Sequence, residues 1–181
     1  MTPALKEWGA AVHALLDGRQ TVLLRKGGVG EKRFSVAAED FLLFPTVAHS
    51  HAQRVRPQHR DLLGTAAADS TDDHIVMRAA AKVVAAVAVT RPEALPEIED
   101  MHIWTAGSVR TDRLDFRPRH RLTVIVVQAI ALAEPLRLAR GPQFGGCTSW
   151  VEVPGAPVRA DPVHDGATLA EIARRVRDAV G

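Results

Sequence analysis

Four groups of residues have types and spacings that could do chemistry. Arg25-Lys26 is a cation pair at the end of an apolar run, followed at once by Gly27-Gly28. Cations beside bare backbone amides suit a phosphate. The stretch lacks the GxxxxGK[ST] pattern of a P-loop, and a solvated hairpin turn accounts for the same residues. His49 and His51 stand two apart; on a strand they would point the same way, as a metal pair does. No acid or thiol lies close to them in sequence, so no metal is expected. Cys147, the only cysteine, is followed by Thr-Ser-Trp after a Gly-Gly turn. A lone cysteine with histidines elsewhere permits a thiol nucleophile, but a small buried strand residue is its commoner role. Ser149 lacks the GxSxG elbow of a hydrolase triad. Trp104 and Trp150 complete the set, the first close to Arg110, Arg113, Arg117 and Arg119. Indole faces stack on bases while arginines hold phosphates. The same tryptophans would also serve a core drawn from a chain with 4% aromatics and no Tyr. The acid pattern of a metal-dependent nuclease, with Glu-x-Lys or Asp-x-Lys on the second of two strands, is absent.

Charge is unevenly spread. The net charge is +2. Residues 19–60 hold eight Lys and Arg against three acids, residues 61–104 three against eight, and residues 105–145 seven against three. Two basic segments thus flank an acidic one. If the basic segments meet, they form a positive face; if each pairs with the acidic segment, the charges cancel.

The elements that would position these groups follow from periodicity. Thr2-Pro3 is a hydroxyl N-cap with proline at the first helical position. Leu5, Trp8, Val12, Leu15 and Leu16 then recur at helical spacing, so a helix is expected from Thr2 to the stop at Gly18, with His13 on its surface. Gln20–Arg25 and Arg33–Ala37 read as a hairpin around the glycine turn, and Phe41–Phe44 as a buried strand ended by Pro45. Ala48–Gly64 is expected to be irregular or briefly helical, and Thr65–Asp73 an exposed loop. His74–Thr90 mixes alanines, which favour helix, with a density of valines that favours strand; it is read as a strand bent near Ala79–Ala81. Pro96 limits Glu93–Asp100 to a short helix or turn. Leu122–Leu132 is a strand between Pro118 and Pro135, with Leu136–Leu138 continuing it. Cys147–Val153 is a last strand, Asp161–His164 a loop, and Gly166–Val180 a helix with Leu169, Ile172, Ala173 and Val176 on one stripe.

Length and composition bound the rest. The 181 residues, 46% hydrophobic and 24% charged, fit one globular domain, residues 1–160 forming the core and 161–181 a C-terminal loop and helix. A single cysteine, no signal-peptide layout and no apolar run of membrane-spanning length point to a cytoplasmic protein without a membrane partner. Strands without helices between most of them give an α+β fold: a small, curved, mainly antiparallel sheet or barrel with N- and C-terminal helices.

The segments ALKEW, LLRKGG, FLLFPT followed by His49, HIWT, RP before LTV, and GGCTSWV resemble a bacterial family of uncharacterised proteins, domain-of-unknown-function family 1802, from Ala4 to about Val153. That likeness implies an intracellular bacterial protein and transfers no activity. Residues 15–25, a helix followed by GRQTVLLR, are similar to the G-[KR]-K-T-[VI]-x-[LI]-R opening of ASCH domains, small PUA-like barrels associated with RNA, modified nucleosides and translation. The lysine that is catalytic in some of them corresponds here to Gln20, and a functional threonine to Leu23. Only Arg25 and the small-residue framework carry over, so the likeness implies a ligand-facing geometry without that chemistry. Together, residues and resemblance lead to a nucleic-acid- or nucleotide-binding module with a basic rim. Its expected ligand-binding residues are Arg25, Lys26, His49, Trp104, Arg117, Arg119 and Trp150, with no cofactor. The expected partner is RNA, single-stranded DNA or a nucleotide. The alternatives are a small hydrolase or nuclease on a nucleotide-like substrate, with a histidine as base, and a structural protein without ligand chemistry.

Overall fold

The computed structural model describes residues 1–26 and 35–181. Among these residues seven strands form one sheet: β1 (Thr2–Trp8), β2 (Val22–Lys26), β3 (Asp40–Thr46), β4 (His74–Ala88), β5 (Leu122–Ala139), β6 (Trp150–Val153) and β7 (Arg159–Pro162). Its order is β2-β5-β4-β3-β1-β6. β7 shares with β2 the edge of β5 that β4 leaves open. Among the described residues every pairing is antiparallel except β1 with β3. Among the described residues β2 and β6 end the sheet, so backbone pairing does not close it into a barrel. The sheet is nevertheless strongly curled. β2 and β1 lie four places apart in the strand order, yet Arg25 Nη1 on β2 donates to the Lys6 carbonyl on β1 at 3.0 Å.

Among the described residues five α-helices accompany the sheet: α1 (Gly9–Leu16), α2 (His51–Arg54), α3 (Leu63–Ala68), α4 (Ala106–Val109) and α5 (Gly166–Val180). Short 3-10 stretches occupy Pro57–Leu62, Pro92–Met101 and Pro142–Phe144, and a π turn occupies Arg110–Asp115. Successive side chains of a strand face opposite sides of the sheet. Accordingly Leu23 and Ile125 enter one cluster with Leu5, Val12, Leu15 and Phe41. Val22, Leu24, Val124 and Val126 enter another, with Val87, Ile98, Trp104 and the buried stripe of α5. That stripe is Leu169, Ala173 and Val176, a helical period; the Asp165 carboxylate caps α5 by accepting from the Thr168 amide at 2.7 Å.

The strand reading of 74–90 and 122–138 holds. β4 and β5 pair along their length, with register shifts between Met77 and Ala79 and between Val83 and Ala85, so the bend near Ala79–Ala81 is a bulged stretch. β5 runs through Pro135 without a break. The N-terminus is a correction. Thr2–Trp8 is a strand, and the helix begins only at Gly9. Ala4 and Leu5 are both fully buried, one on each face of the sheet. A strand buried on both faces shows no alternation, and Leu5, Trp8 and Val12 imitate a helical stripe across the strand–helix junction. Gly18 does end the helix, at φ 78°. β3 likewise continues through Pro45, which lies opposite Glu7 in the parallel pair. Thr65–Asp73 is not an exposed loop: its first half is α3, with Ala66 buried. His13 is not a surface residue; its Nε2 lies 2.7 Å from a buried Asp69 carboxylate that also takes Arg78 at 2.9 Å. Residues 161–162 belong to β7, and β6 begins at Trp150, leaving Cys147 in an exposed turn. Of the expected hairpin, the Gly27–Gly30 turn and Arg33 lie outside the described residues; Ser35–Ala37 is not strand.

Candidate nucleotide-binding groove

The site is built around the π turn Arg110–Asp115, which follows α4 and leads into β5. The turn is held from beneath by cations. Lys26 Nζ donates to the carbonyls of Phe116, Leu114 and Arg117, the last at 2.9 Å. Leu114 is in the last turn, where helical carbonyls lack intrahelical partners; Phe116 and Arg117 follow it, and the Arg117 carbonyl also accepts from the His120 amide at 2.9 Å. The Arg113 guanidinium Nε donates back to the Leu24 carbonyl on β2 at 3.0 Å. Arg54 Nε takes the Asp112 carboxylate at 2.5 Å, with its guanidinium carbon 5.5 Å from the Trp8 ring. Arg25 Nη1 lies 3.3 Å from a Glu7 carboxylate that is 3% exposed. Burial lowers the pKa of Lys26, and Arg113 beside it lowers it further. The same loss of solvation dominates at Arg113.

An aromatic group backs this brace. Trp8 stands 4.8 Å from the His51 ring and 6.0 Å, edge-on, from Trp104. His51 is buried with Nε2 unpartnered among the described residues. Burial, then Arg54, lowers its pKa to about 4, so the ring is neutral at pH 7. Residues 102–105 are laced to residues 54–56. Arg56 N donates to the Ile103 carbonyl at 2.9 Å and Thr105 N to the Arg54 carbonyl at 2.8 Å, while Arg56 Nη1 takes the Trp104 carbonyl at 3.0 Å. Gln20, buried on the other side, accepts from the Ile103 amide at 3.3 Å and donates to the Val22 carbonyl at 2.9 Å.

Two hollows roomy enough for a ligand flank the π turn among the described residues. The smaller, about 160 Å³, is lined by Lys26, Arg113, Arg119, His120 and Arg121 over apolar Val89, Pro92, Leu114, Pro118 and Leu122. Arg119 and Arg121 are exposed, and among the described residues neither pairs with a carboxylate. The larger, about 560 Å³, lies between the 3-10 stretch Pro92–Met101 and α4. Its lining includes Leu95, Trp104 and Val109, with Glu93, Glu99, Asp115 and Arg110 at polar positions. His102 also lines it. Its Nδ1 accepts from the Trp104 amide at 3.1 Å, which places the ring proton on Nε2. Burial, then Arg56, lowers the His102 pKa to about 4. Pro92 and Leu114 line both hollows.

Of the residues singled out in the sequence, Lys26 and Arg119 meet in the smaller hollow and Trp104 lines the larger one. Arg117 adjoins them, at φ 49° with its guanidinium carbon 5.0 Å from the Phe116 ring. Arg25 faces Glu7 on β1 instead. His49 and His51 are not on a strand: His49 is exposed in the turn before α2, and His51 is buried at its start. Among the described residues no group of three or more His, Cys, Asp or Glu side chains could hold a metal ion. Trp150 lines neither hollow; its ring meets Phe41 edge-on at 5.0 Å and its Nε1 donates to the Ser35 carbonyl at 3.4 Å. The two basic segments do meet, because β2 pairs β5 with Lys26 opposite Leu122. Sequence reasoning missed Arg121, His120, Glu93 and Glu99. The RPRHR run and the acids around Pro96 were the available signals.

Residues 4–175 match the family model described as "Domain of unknown function (DUF1802)". The chain belongs to this family. No curated protein matches it. Among solved structures, the crystal structure of ASCH from Zymomonas mobilis is similar to this DUF1802 chain at 13% identity and a TM-score of 0.43, covering 74% of this chain and 71% of that one. No helix among the described residues is long and apolar enough to cross a membrane.

Proposed function

We propose that this DUF1802 protein is a binding module for a phosphate-bearing ligand, a single-stranded nucleic acid or a nucleotide. The smaller hollow is its phosphate subsite. One observation carries this: Lys26, Arg113, Arg119, His120 and Arg121 line a single concavity with no acid among its described lining residues. Lys26 and Arg113 are committed to backbone carbonyls, so they set a positive potential, while Arg119 and Arg121 are left to make the contacts. Guanidinium groups match phosphate oxygens with two parallel hydrogen bonds. Arg117 extends the same face, and Trp104 contributes through the neighbouring hollow.

A fluorescently labelled single-stranded RNA titrated with the protein tests this. Binding is expected at low ionic strength and is expected to weaken steeply as salt rises, because each phosphate contact releases condensed counterions. Absence of binding at low salt, or binding indifferent to salt, contradicts it.

A further inference from the structure

The geometry points to the larger hollow as a nucleobase subsite selective for bases that carry an exocyclic amino group. This rests on the phosphate subsite proposed above and names what lies beyond it. The two hollows share Pro92 and Leu114, so a ligand anchored by phosphate in the smaller one reaches the larger without leaving the protein surface. At about 560 Å³ the larger hollow falls in the range of small-molecule sites. Its wall is apolar where a flat ring would lie: Leu95, Pro96, Trp104, Val109 and Leu114.

Most of the polar groups are of the opposite kind to those next door, and the one arginine among them, Arg110, is paired with Asp115. Glu93, Glu99 and Asp115 are exposed carboxylates, and carboxylates only accept hydrogen bonds. Asp115 lies 4.0 Å from Arg110, which leaves Glu93 and Glu99 without an ion-pair partner among the described residues. A ligand spanning both hollows therefore meets guanidinium donors at one end, an apolar wall in the middle and acceptors at the other. A nucleotide of adenine, cytosine or guanine has the complementary order: phosphate, ring, amino group. Uracil and hypoxanthine present a carbonyl where adenine and cytosine present the amine, and meet these carboxylates unfavourably. His102, neutral with its proton on Nε2, supplies one donor for a ring nitrogen or carbonyl. The wall is held in place before any ligand arrives, since residues 102–105 are tied to Arg56, Val55 and Gln20.

Calorimetric titration of the full chain with AMP, IMP, CMP, UMP and ribose 5-phosphate tests the assignment. AMP and CMP are expected to bind about 5- to 150-fold more tightly than IMP and UMP, the discrimination of one or two well-made base contacts. Gly107→Trp supplies a steric test. Gly107 lines the hollow, and a Cβ there meets nothing within 4 Å, so a large side chain can start from this position without a backbone clash. This variant is expected to bind all five ligands with the affinity of ribose 5-phosphate. Glu93→Ala/Glu99→Ala is expected to bring AMP and IMP level. Equal affinity of the wild type for AMP, IMP and ribose 5-phosphate, unchanged in Gly107→Trp, overturns the base subsite and leaves the phosphate subsite standing. AMP binding that Gly107→Trp abolishes but Arg119→Ala/Arg121→Ala leaves intact overturns the phosphate subsite instead.

Discussion

Gln20 shows most clearly how a residue's surroundings decide its role. Its amide is 1% exposed and joins two backbone groups, the Val22 carbonyl and the Ile103 amide. It holds the start of β2 to the segment that walls the larger hollow. Gln20→Leu leaves both groups unsatisfied and is expected to cost about 1–3 kcal/mol in denaturant unfolding. Gln20→Lys buries an ammonium without a counter-charge and should cost more; a lysine variant as stable as wild type would contradict this placement. His51 and His102 make a second, separable prediction. Both have folded-state pKa values lowered to about 4 from 6.5. Between those limits the unfolded chain binds protons that the folded chain does not. Stability therefore falls as pH drops from about 6.5 towards 4 and levels off below, each ring contributing roughly 3 kcal/mol. His51→Phe keeps the ring contact with Trp8, removes the unpartnered Nε2 and should flatten the melting temperature against pH by about half. An unaltered slope would assign the acid sensitivity to other groups.

At the scale of elements, the π turn and its supports explain why the groove exists. A turn whose final carbonyls point inward needs a donor beneath it, and Lys26 supplies one from the end of β2. Lys26→Met is expected to raise amide hydrogen exchange at residues 110–117 while leaving β4 and β5 protected, since the turn has few buried contacts of its own. Close approach also matters at α1. A Cβ on Gly9 would meet Ala66 Cβ on α3 at 3.0 Å, so Gly9→Val should force the helices apart and cost about 1–3 kcal/mol. Elements bounded by ordinary signals were legible in the sequence. α5 has an apolar stripe at helical spacing, and β5 has a long β-branched run. Elements whose state depends on partners far along the chain were not. β1 is a strand because β3 and β6 flank it on both sides, and nothing within TPALKEW says so. The groove was legible only in part for the same reason. The RPRHR and LLRK segments advertised their charge, but their meeting depends on the β2–β5 register. The larger hollow is shaped by 3-10 and π turns, which have no periodicity to read.

For the whole molecule, the sheet is a curled ribbon whose two regions are tied by side chains. Arg25 crosses from β2 to Lys6 and Glu7 on β1. Its carboxylate partner is almost fully buried and keeps the Trp8 amide as a donor at 2.8 Å, so removing the guanidinium leaves a buried charge without its paired cation. Arg25→Ala is expected to destabilise the fold by about 3–5 kcal/mol, and the loss of any ligand binding should then track the loss of fold. The arginines of the smaller hollow differ: Arg119 and Arg121 are exposed and have no ion-pair partner among the described residues, so their removal should change binding alone. The most direct measurement is the slope of log affinity against log salt for single-stranded RNA, in wild type and in Arg119→Ala/Arg121→Ala. If these residues hold two phosphates, the double variant keeps its melting temperature and its slope becomes shallower by about 1.4, since each single-strand phosphate contact contributes about 0.7. A double variant that binds with the wild-type slope would contradict a phosphate subsite in the basic hollow.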